Sequence, residues 1–254
     1  MKFHFLTIFP EMINTYTGEA MLKRAKDKKL ADFVAVNIRE HSKDKHGKVD
    51  DRPYGGGPGM VMTPEPILRA FSKLKFKKIS RMSKDGPRIK VIQLSPSGKM
   101  FTNTIAKKMA KSYTDIVFIC GRYEGVDDRV RKILKAEEYS IGDFVLTGGE
   151  LPALVMTDAI VRQIPGVLGD EASLEEARVA SPRVYTRPEV LLWPPIKKGT
   201  KSVLRTDRPT SKAGLGEKQK KHKVPKVLVG GHHKKIEEWR LKQKGNPEVD
   251  PGLV

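Results

Sequence analysis

The chain has 254 residues, of which 49 are Lys or Arg and 30 are Asp or Glu, so its formal net charge is +19. This length fits one large domain, or a large domain and a small one. The single cysteine, Cys120, excludes an intramolecular disulfide framework and a multi-cysteine metal site. No segment approaches the roughly 18 apolar residues of a membrane-spanning helix, so we expect a soluble, cytoplasmic protein without a membrane partner. The excess of cations favours a polyanionic partner such as nucleic acid, because Lys and Arg that neutralise phosphates release counterions; a solvated basic surface is the alternative.

The first part of the chain predicts alternating strands and helices. Strands are predicted over residues 3–9 and 32–38, with a helix over residues 11–30 between them. A polar loop then runs to Met60. A helix follows from Thr63, because the prolines of this segment are tolerated in a first helical turn.

Three strand-to-helix units follow, and each turn between strand and helix contains glycine. The strands are predicted over residues 89–94, 115–120 and 140–146, and the helices from about Thr102, Asp127 and Glu150. Repeated units of this kind predict an α/β fold with a mainly parallel sheet covered by helices. Ligands bind at the carboxyl ends of the strands in such sheets. Three glycine turns on neighbouring strands therefore favour one shared pocket over three separate tight connections.

The composition changes after Gly166. Residues 167–189 contain no clear core strand, and residues 196–226 hold eleven Lys or Arg against two acids, a net charge of +9. Such a block is usually disordered or an interaction arm. It is either an extra phosphate-binding arm or a tolerated surface insertion, because long loops cost little additional entropy. Residues 224–244 predict a small helical unit.

The most unusual string runs from Asp50 to Met60 and has four glycines in five positions. Glycines let backbone amides approach a partner closely, although a loop without function is the alternative. The string is neither a Walker loop nor a dinucleotide fingerprint, which makes a nucleotide-phosphate enzyme a distant alternative. His232 and His233 are adjacent and are expected to be a solvated pair. Cys120 is expected to be a buried small residue and not a nucleophile.

Seven strings carry a resemblance to a known enzyme family. They are 51–60, 94–96, 120–126, 140–152, 164–169, 185–189 and 239–243. In order and over nearly the whole chain, they resemble the bacterial tRNA (guanine-N1)-methyltransferases of the TrmD family, in the SPOUT superfamily.

The resemblance implies an organisation of the chain that the periodicity does not reveal. It implies an S-adenosylmethionine-binding α/β domain over residues 1–168, with a SPOUT-type parallel sheet and a deep trefoil knot. An interdomain linker would cover residues 169–188. A small C-terminal tRNA-binding helical domain would cover residues 189–254, with the basic insertion at about 196–226. The resemblance also implies a homodimer whose active sites lie between the subunits.

The activity implied is methylation of N1 of guanine 37 in tRNA, with S-adenosylmethionine as methyl donor and guanine preferred at position 36. A methyl group there blocks the Watson–Crick edge of the base and so supports the reading frame. The implied donor-binding residues are Ser95, Pro96, Gly98, Gly121, Tyr123, Glu124, Gly125, Ile141, Gly142, Asp143, Phe144, Val145, Leu146, Gly148, Gly149 and Pro152.

Methylation at N1 needs a general base, because this nitrogen carries a proton that must leave. In the family an arginine stabilises charge on the guanine, which matches Arg162, and an aspartate accepts the proton. The aspartate position falls on Ala177 here. Either Glu175 or Glu176 has taken the role through a shifted register, and we assign it to Glu176, or the base is missing. The resemblance also implies that Glu124 is a catalytic residue that faces the donor, and the family's association with magnesium implies an Mg²⁺ ion that Glu124 and a linker carboxylate could hold.

Two alternatives stay open at this level. A catalytically weakened RNA-binding protein would keep the fold and lack the base. A SPOUT methyltransferase acting on ribosomal RNA would suit the basic insertion.

Overall fold

The protein is described by a computed structural model at residues 1–76, 88–168, 184–193 and 220–244. The chain divides into two units, Met1–Leu174 and Glu175–Val254. The strands of the first unit are β1 (Lys2–Thr7), β2 (Asp32–Asn37), β3 (Asp50–Asp51), β4 (Val61–Met62), β5 (Ile89–Met100), β6 (Asp115–Ile119) and β7 (Glu137–Ser140). Its α-helices are α1 (Pro10–Thr17), α2 (Ala20–Asp27), α3 (Pro64–Lys73), α4 (Asn103–Ser112), α5 (Asp128–Leu134) and α6 (Glu150–Val161), and a 3₁₀ helix covers Ile38–His41.

Five of these strands form a parallel sheet in the order β2-β1-β6-β5-β7. Successive side chains of a strand point to opposite faces, and both faces of this sheet are buried. Phe5 and Phe118 stack on the face that α4 and α6 cover, while Leu6 and Ile119 belong to the second core. Burial on both faces explains why β6 is apolar at nearly every position. The predicted α/β class is confirmed, and the trefoil knot stays a prediction.

Strand β5 is longer than predicted because its second half also pairs with β7. The register between the two strands shifts, so that both Leu94 and Lys99 lie opposite Tyr139. Residues 95–98, predicted as a turn, form this irregularity inside the strand. A β-carbon placed on Gly98 would lie 2.6 Å from the backbone nitrogen of Tyr139. The two backbones therefore approach closely only because residue 98 has no side chain.

Two predicted elements are wrong in their extent. The helix predicted over residues 11–30 is two helices, because the chain leaves helical geometry after Thr17: Gly18 caps α1, and Ala20 has a φ of 47°. The strand predicted over residues 140–146 is β7, which ends at Ser140. The apolar run Phe144–Leu146 that suggested a strand lies in the following loop, where its side chains are partly exposed instead of packed in a sheet.

The described part of the second unit contains a strand pair and two helices. Strands β8 (Val190–Trp193) and β9 (Lys220–Lys223) pair antiparallel, and helices α7 (Lys226–Val229) and α8 (His233–Lys244) follow. The helices confirm the helical segment predicted over residues 224–244, whereas the strand pair was not predicted. Residues 169–183 and 194–219, which hold most of the linker and of the basic block, lie outside the described residues. Within the described ranges, no helix is both long and apolar enough to cross a membrane.

Candidate active site

A cavity of about 400 Å³ opens at the carboxyl ends of β6 and β7 and beside the irregularity within β5. Its walls are residues 93–96 of β5, the loop 121–126 after β6, residues 138–142 and 144–149 between β7 and the start of α6, and Pro152 of α6. Ligand-binding cavities of small molecules have volumes of this order. Residues from all three predicted glycine turns therefore line one cavity, although the first of these turns lies within β5 and contributes Ser95 and Pro96 instead of its glycine.

Most of the residues implied as donor-binding line this cavity. They are Ser95, Pro96, Gly121, Tyr123, Glu124, Gly125, Ile141, Gly142, Phe144, Val145, Leu146, Gly148, Gly149 and Pro152. Gly98 and Asp143 are not among the lining residues, and Gly98 instead lies against the backbone of β7. Their binding roles stay predictions for all sixteen positions.

The lining combines exposed apolar side chains with backbone polar groups. Val145 is 81% exposed and Phe144 is 54% exposed. Exposed apolar groups of this size on a cavity wall suit a flat aromatic ring, while glycine turns leave backbone N–H and C=O groups accessible to its polar edge. The arrangement can hold an adenine ring without a dedicated charged side chain.

The glycine-rich string from Asp50 to Met60 is joined to the loop after β6. The Glu124 N–H donates to the Met60 carbonyl at 2.9 Å, and the Met62 N–H donates to the Gly125 carbonyl at 2.9 Å. Gly59 has a φ of 81°, and a β-carbon there would collide with the Glu124 side chain. The string is thus part of the wall that carries Glu124 and is not a separate site.

Three polar residues near the cavity escaped the sequence analysis. Glu150 is completely buried at the start of α6, and it contacts Arg122 and Thr7. Arg122 also lines the cavity. The sequence does contain a signal for Arg122, because it is a charged residue inside a glycine turn at the end of a strand. Its partner Glu150 lies 28 residues further along the chain, so the ion pair between them could not be predicted from spacing.

Cys120 is buried at the end of β6, as predicted. Burial raises the pKa of its thiol well above the usual range, and the nearby carboxylate of Glu150 raises it further. A thiol with a raised pKa is a poor nucleophile because the thiolate is the reactive form. The site therefore offers no cysteine for covalent catalysis.

Comparisons with known proteins decide the family. A family model described as tRNA (Guanine-1)-methyltransferase TrmD matches residues 1–196. The chain belongs to this TrmD family. It is 42% identical over 243 residues to the tRNA (guanine-N(1)-)-methyltransferase of Clostridioides difficile, covering 96% of this chain and 92% of the relative. It is 44% identical over 243 residues to the protein of the same name from Bacillus subtilis, covering 96% and 87%.

A solved structure agrees with the TrmD assignment. The crystal structure of tRNA (m1G37) methyltransferase from Aquifex aeolicus matches with a TM-score of 0.67 and 35% identity, over 96% of this chain and 89% of that one. The resemblance drawn from the sequence is thereby confirmed.

The residues that the TrmD resemblance implied for catalysis are only partly described. Glu124 lines the cavity, and Arg162 follows α6, where its N–H donates to the Asp158 carbonyl at 3.1 Å. Glu175, Glu176 and Ala177 lie outside the described residues. Among the residues that are described, no group of three or more His, Cys, Asp or Glu side chains could hold a metal ion.

Proposed function

We propose that this chain transfers the methyl group of S-adenosylmethionine to N1 of guanine 37 in tRNA, in the cytoplasm, with guanine preferred at position 36. One observation carries the proposal. A chain that matches the TrmD family over residues 1–196 brings two glycine loops, after β6 and before α6, together with residues 93–96 of β5 around one cavity. The SPOUT-type knot belongs to the same proposal.

The chemistry requires one bond to form and one to break at the methyl carbon. The donor supplies a methyl group on a positively charged sulfur, and the lone pair of guanine N1 displaces that sulfur. The N1 proton must move to a base, a role we assign to the Glu176 carboxylate, while the Arg162 guanidinium stabilises negative charge that develops on the guanine. Holding the two reactants in line supplies most of the acceleration, so rigid cavity walls matter more than a nucleophile.

Labelled-methyl transfer to tRNA transcripts tests the activity. One transcript carries guanines at positions 36 and 37, a second has adenine at 37, and primer extension locates the modified base. We expect a stop at position 37 only with the first transcript. Donor binding without any stop would favour the catalytically weakened RNA-binding protein. If ribosomal RNA fragments compete with tRNA and are labelled preferentially, the ribosomal RNA methyltransferase would be favoured.

Two variants test the assignment of the base. Glu176→Gln is expected to lower the methyl-transfer rate at least tenfold at neutral pH, because an amide cannot accept the N1 proton. Glu175→Gln, the matched neighbour, should keep the parental rate. Parental rates for both variants across pH would show that neither glutamate is the base.

Magnesium is a finer part of the family's chemistry that the described residues do not support by themselves. Glu124 is an acidic group on the cavity wall, but it belongs to no cluster of three potential ligands within the ranges described. Mg²⁺ is usually bound through one or two protein carboxylates, and water molecules or substrate phosphates occupy its remaining positions. Glu124 could be one of these carboxylates, and we assign no catalytic step to the metal ion.

We also propose that the protein is a homodimer through the outer side of α1 and α6. Helix α6 carries apolar residues around most of its circumference, and Leu151 and Val155, on the side that is not packed in the core, are about half exposed. Met12 and Tyr16 of α1 are exposed beside them, since the Tyr16 hydroxyl donates to Asp158 of α6 at 3.0 Å. An apolar surface on two adjacent helices is typical of an interface.

Light scattering after gel filtration tests the dimer. Val155→Glu should shift the mass from two chains to one and abolish methyl transfer if the active sites lie between subunits. Ile133→Glu is the control, because Ile133 is an exposed apolar residue on α5, and α5 packs on a different core from α1 and α6. A monomeric parent protein, or a Val155→Glu dimer, would contradict the proposed interface.

The second unit is proposed as the tRNA-binding domain. Its strand β9 exposes Lys220, Lys221 and Lys223, and its helix α8 carries further Lys and Arg. Lys and Arg side chains of this kind neutralise phosphates without reading the sequence.

A further inference from the structure

The side chain of Glu150 is a buried charge with two specific partners. It is the first residue of α6 and is 0% exposed. The Thr7 hydroxyl donates to its Oε1 at 2.7 Å, and Arg122 Nε donates to its Oε2 at 2.9 Å. A buried carboxylate without such partners would be strongly destabilising, so all three groups are fixed relative to each other. The N-terminal end of α6 adds a favourable dipole.

Arg122 connects two walls of the cavity. Its backbone belongs to the loop after β6, while its Nη1 donates to the Thr147 carbonyl in the loop before α6 at 3.3 Å. The same loops meet where the Gly149 N–H donates to the Gly121 carbonyl at 2.8 Å. The guanidinium fills the space beside Gly148, where any β-carbon would collide with it.

The position of the guanidinium is fixed from its other side as well. The guanidinium carbon of Arg122 lies 4.6 Å from the centroid of the Phe9 ring, which is a cation–π contact. Phe9 in turn donates its N–H to the Thr7 hydroxyl at 2.9 Å. The last residue of β1, Thr7, therefore supports the carboxylate, and Phe9, two residues later, supports the guanidinium, although neither of them lines the cavity.

We infer that Arg122, held by Glu150 and Thr7, is a positioning residue that fixes the distance between the two glycine loops and thereby sets the affinity for the methyl donor. The inference rests on the proposed function, because it assumes that the cavity binds S-adenosylmethionine. Arg122 bridges the two loops through a planar fork: Nε faces the carboxylate and Nη1 faces the carbonyl. A lysine has one nitrogen and cannot make both contacts in the same geometry.

The test compares Arg122→Lys with a matched control in steady-state methyl transfer. We expect the KM for S-adenosylmethionine to rise about tenfold, equivalent to about 1.4 kcal/mol, with kcat and the KM for tRNA within about twofold of the parent. Arg129→Lys is the control, because Arg129 also makes a two-pronged contact, with Asp127, but on the exposed surface. It should leave all three parameters unchanged.

A second pair of variants applies if Arg122→Lys does not fold. Thr7→Val removes the hydroxyl that donates to Glu150 and keeps the shape, so the donor KM should rise about threefold. Thr7→Ser restores the hydroxyl and should restore the KM. If Thr7 has a purely structural role, Thr7→Val should lower the melting temperature without raising the donor KM selectively, and Thr7→Ser should have no raised KM to restore.

The outcomes separate the inference from the proposed function. If the parent protein transfers no methyl group and binds no donor, the proposed function fails. If the parent is active and the donor KM of the folded variants equals that of the parent, the inference is overturned. A loss shared equally by kcat, the donor KM and the tRNA KM would also overturn it, because that pattern indicates general disruption.

Discussion

Replacing Gly98 by alanine should destabilise the first unit more than Gly142→Ala does, although the new β-carbon at position 142 would make the closer contact. The added β-carbon would lie 2.6 Å from the backbone nitrogen of Tyr139 and 2.7 Å from the carbonyl carbon of Glu138. Ordinary contact begins at 3.4 Å, so β5 and β7 must separate by about 0.8 Å at this point. Both obstacles are backbone atoms of a paired strand and cannot rotate away. Overpacking of this kind costs about 1–3 kcal/mol, and we expect about 2 kcal/mol.

Gly142→Ala is the matched control. Its β-carbon would meet the ring of Phe144 at an even shorter distance, but that ring is 54% exposed and can turn towards solvent. Alanine also gives the unfolded chain less conformational entropy than glycine does, which offsets part of any loss of stability in the folded state. We therefore expect a change within about 0.5 kcal/mol for this variant.

Calorimetry or circular dichroism measures both effects on the first unit, whereas tryptophan fluorescence reports on Trp193 and Trp239 of the second. At about 2–4 °C per kcal/mol for a unit of this size, Gly98→Ala should lower the melting temperature by about 4–8 °C. Gly142→Ala should change it by no more than about 2 °C. Equal shifts, or a larger shift for Gly142→Ala, would refute the argument that backbone obstacles decide the cost.

Three further predictions concern the thiol, the sheet and the basic block. The buried Cys120 thiol, with its raised pKa, should not react with a thiol reagent at pH 8 until the protein is unfolded, when one thiol should be counted; labelling of the native protein would contradict its burial. Burial alone would raise the pKa of the Asp115 carboxyl group, but hydrogen bonds from His4 and Thr114 lower it below its usual value. The carboxylate therefore contributes its whole stabilisation of the folded state above about pH 4, and this contribution is lost as the pH falls through the lowered pKa. Urea unfolding of Asp115→Asn should therefore show a deficit of about 1–3 kcal/mol at pH 6 that narrows below pH 4, and a deficit independent of pH would be inconsistent with this. Because Trp193, the last residue of β8, pairs with Lys220, the first residue of β9, residues 194–219 can be replaced by an Asn-Gly turn. If the basic block is a phosphate-binding arm, the salt dependence of tRNA binding should become shallower in this variant, and an unchanged slope would favour a tolerated insertion.

Much of the first unit could be predicted from the sequence because its elements are locally encoded. Apolar β-branched runs such as 115–119 and the glycines that follow them specify strands that end in tight turns, and repetition of these units specifies a parallel sheet. The glycine turns after β6 and before α6 also predicted where the cavity lies, whereas Gly98 of the remaining turn is not among its lining residues. The motifs along residues 51–60, 120–126 and 140–152 were specific enough to indicate the family that the comparisons confirm.

The tertiary structure decided the features that depend on residues far apart in the chain. The apolar run Phe144–Leu146 has the composition of a strand, but β5 pairs with residues 137–140, so the run became a cavity wall. The need for glycine at position 98 arises from the backbone of β7, which local sequence does not specify. Glu150 resembles an ordinary acidic residue in a first helical turn until folding buries it between Thr7 and Arg122. A charge can be buried only where its partners meet, and that meeting is a property of the packed sheet and not of the spacing between residues.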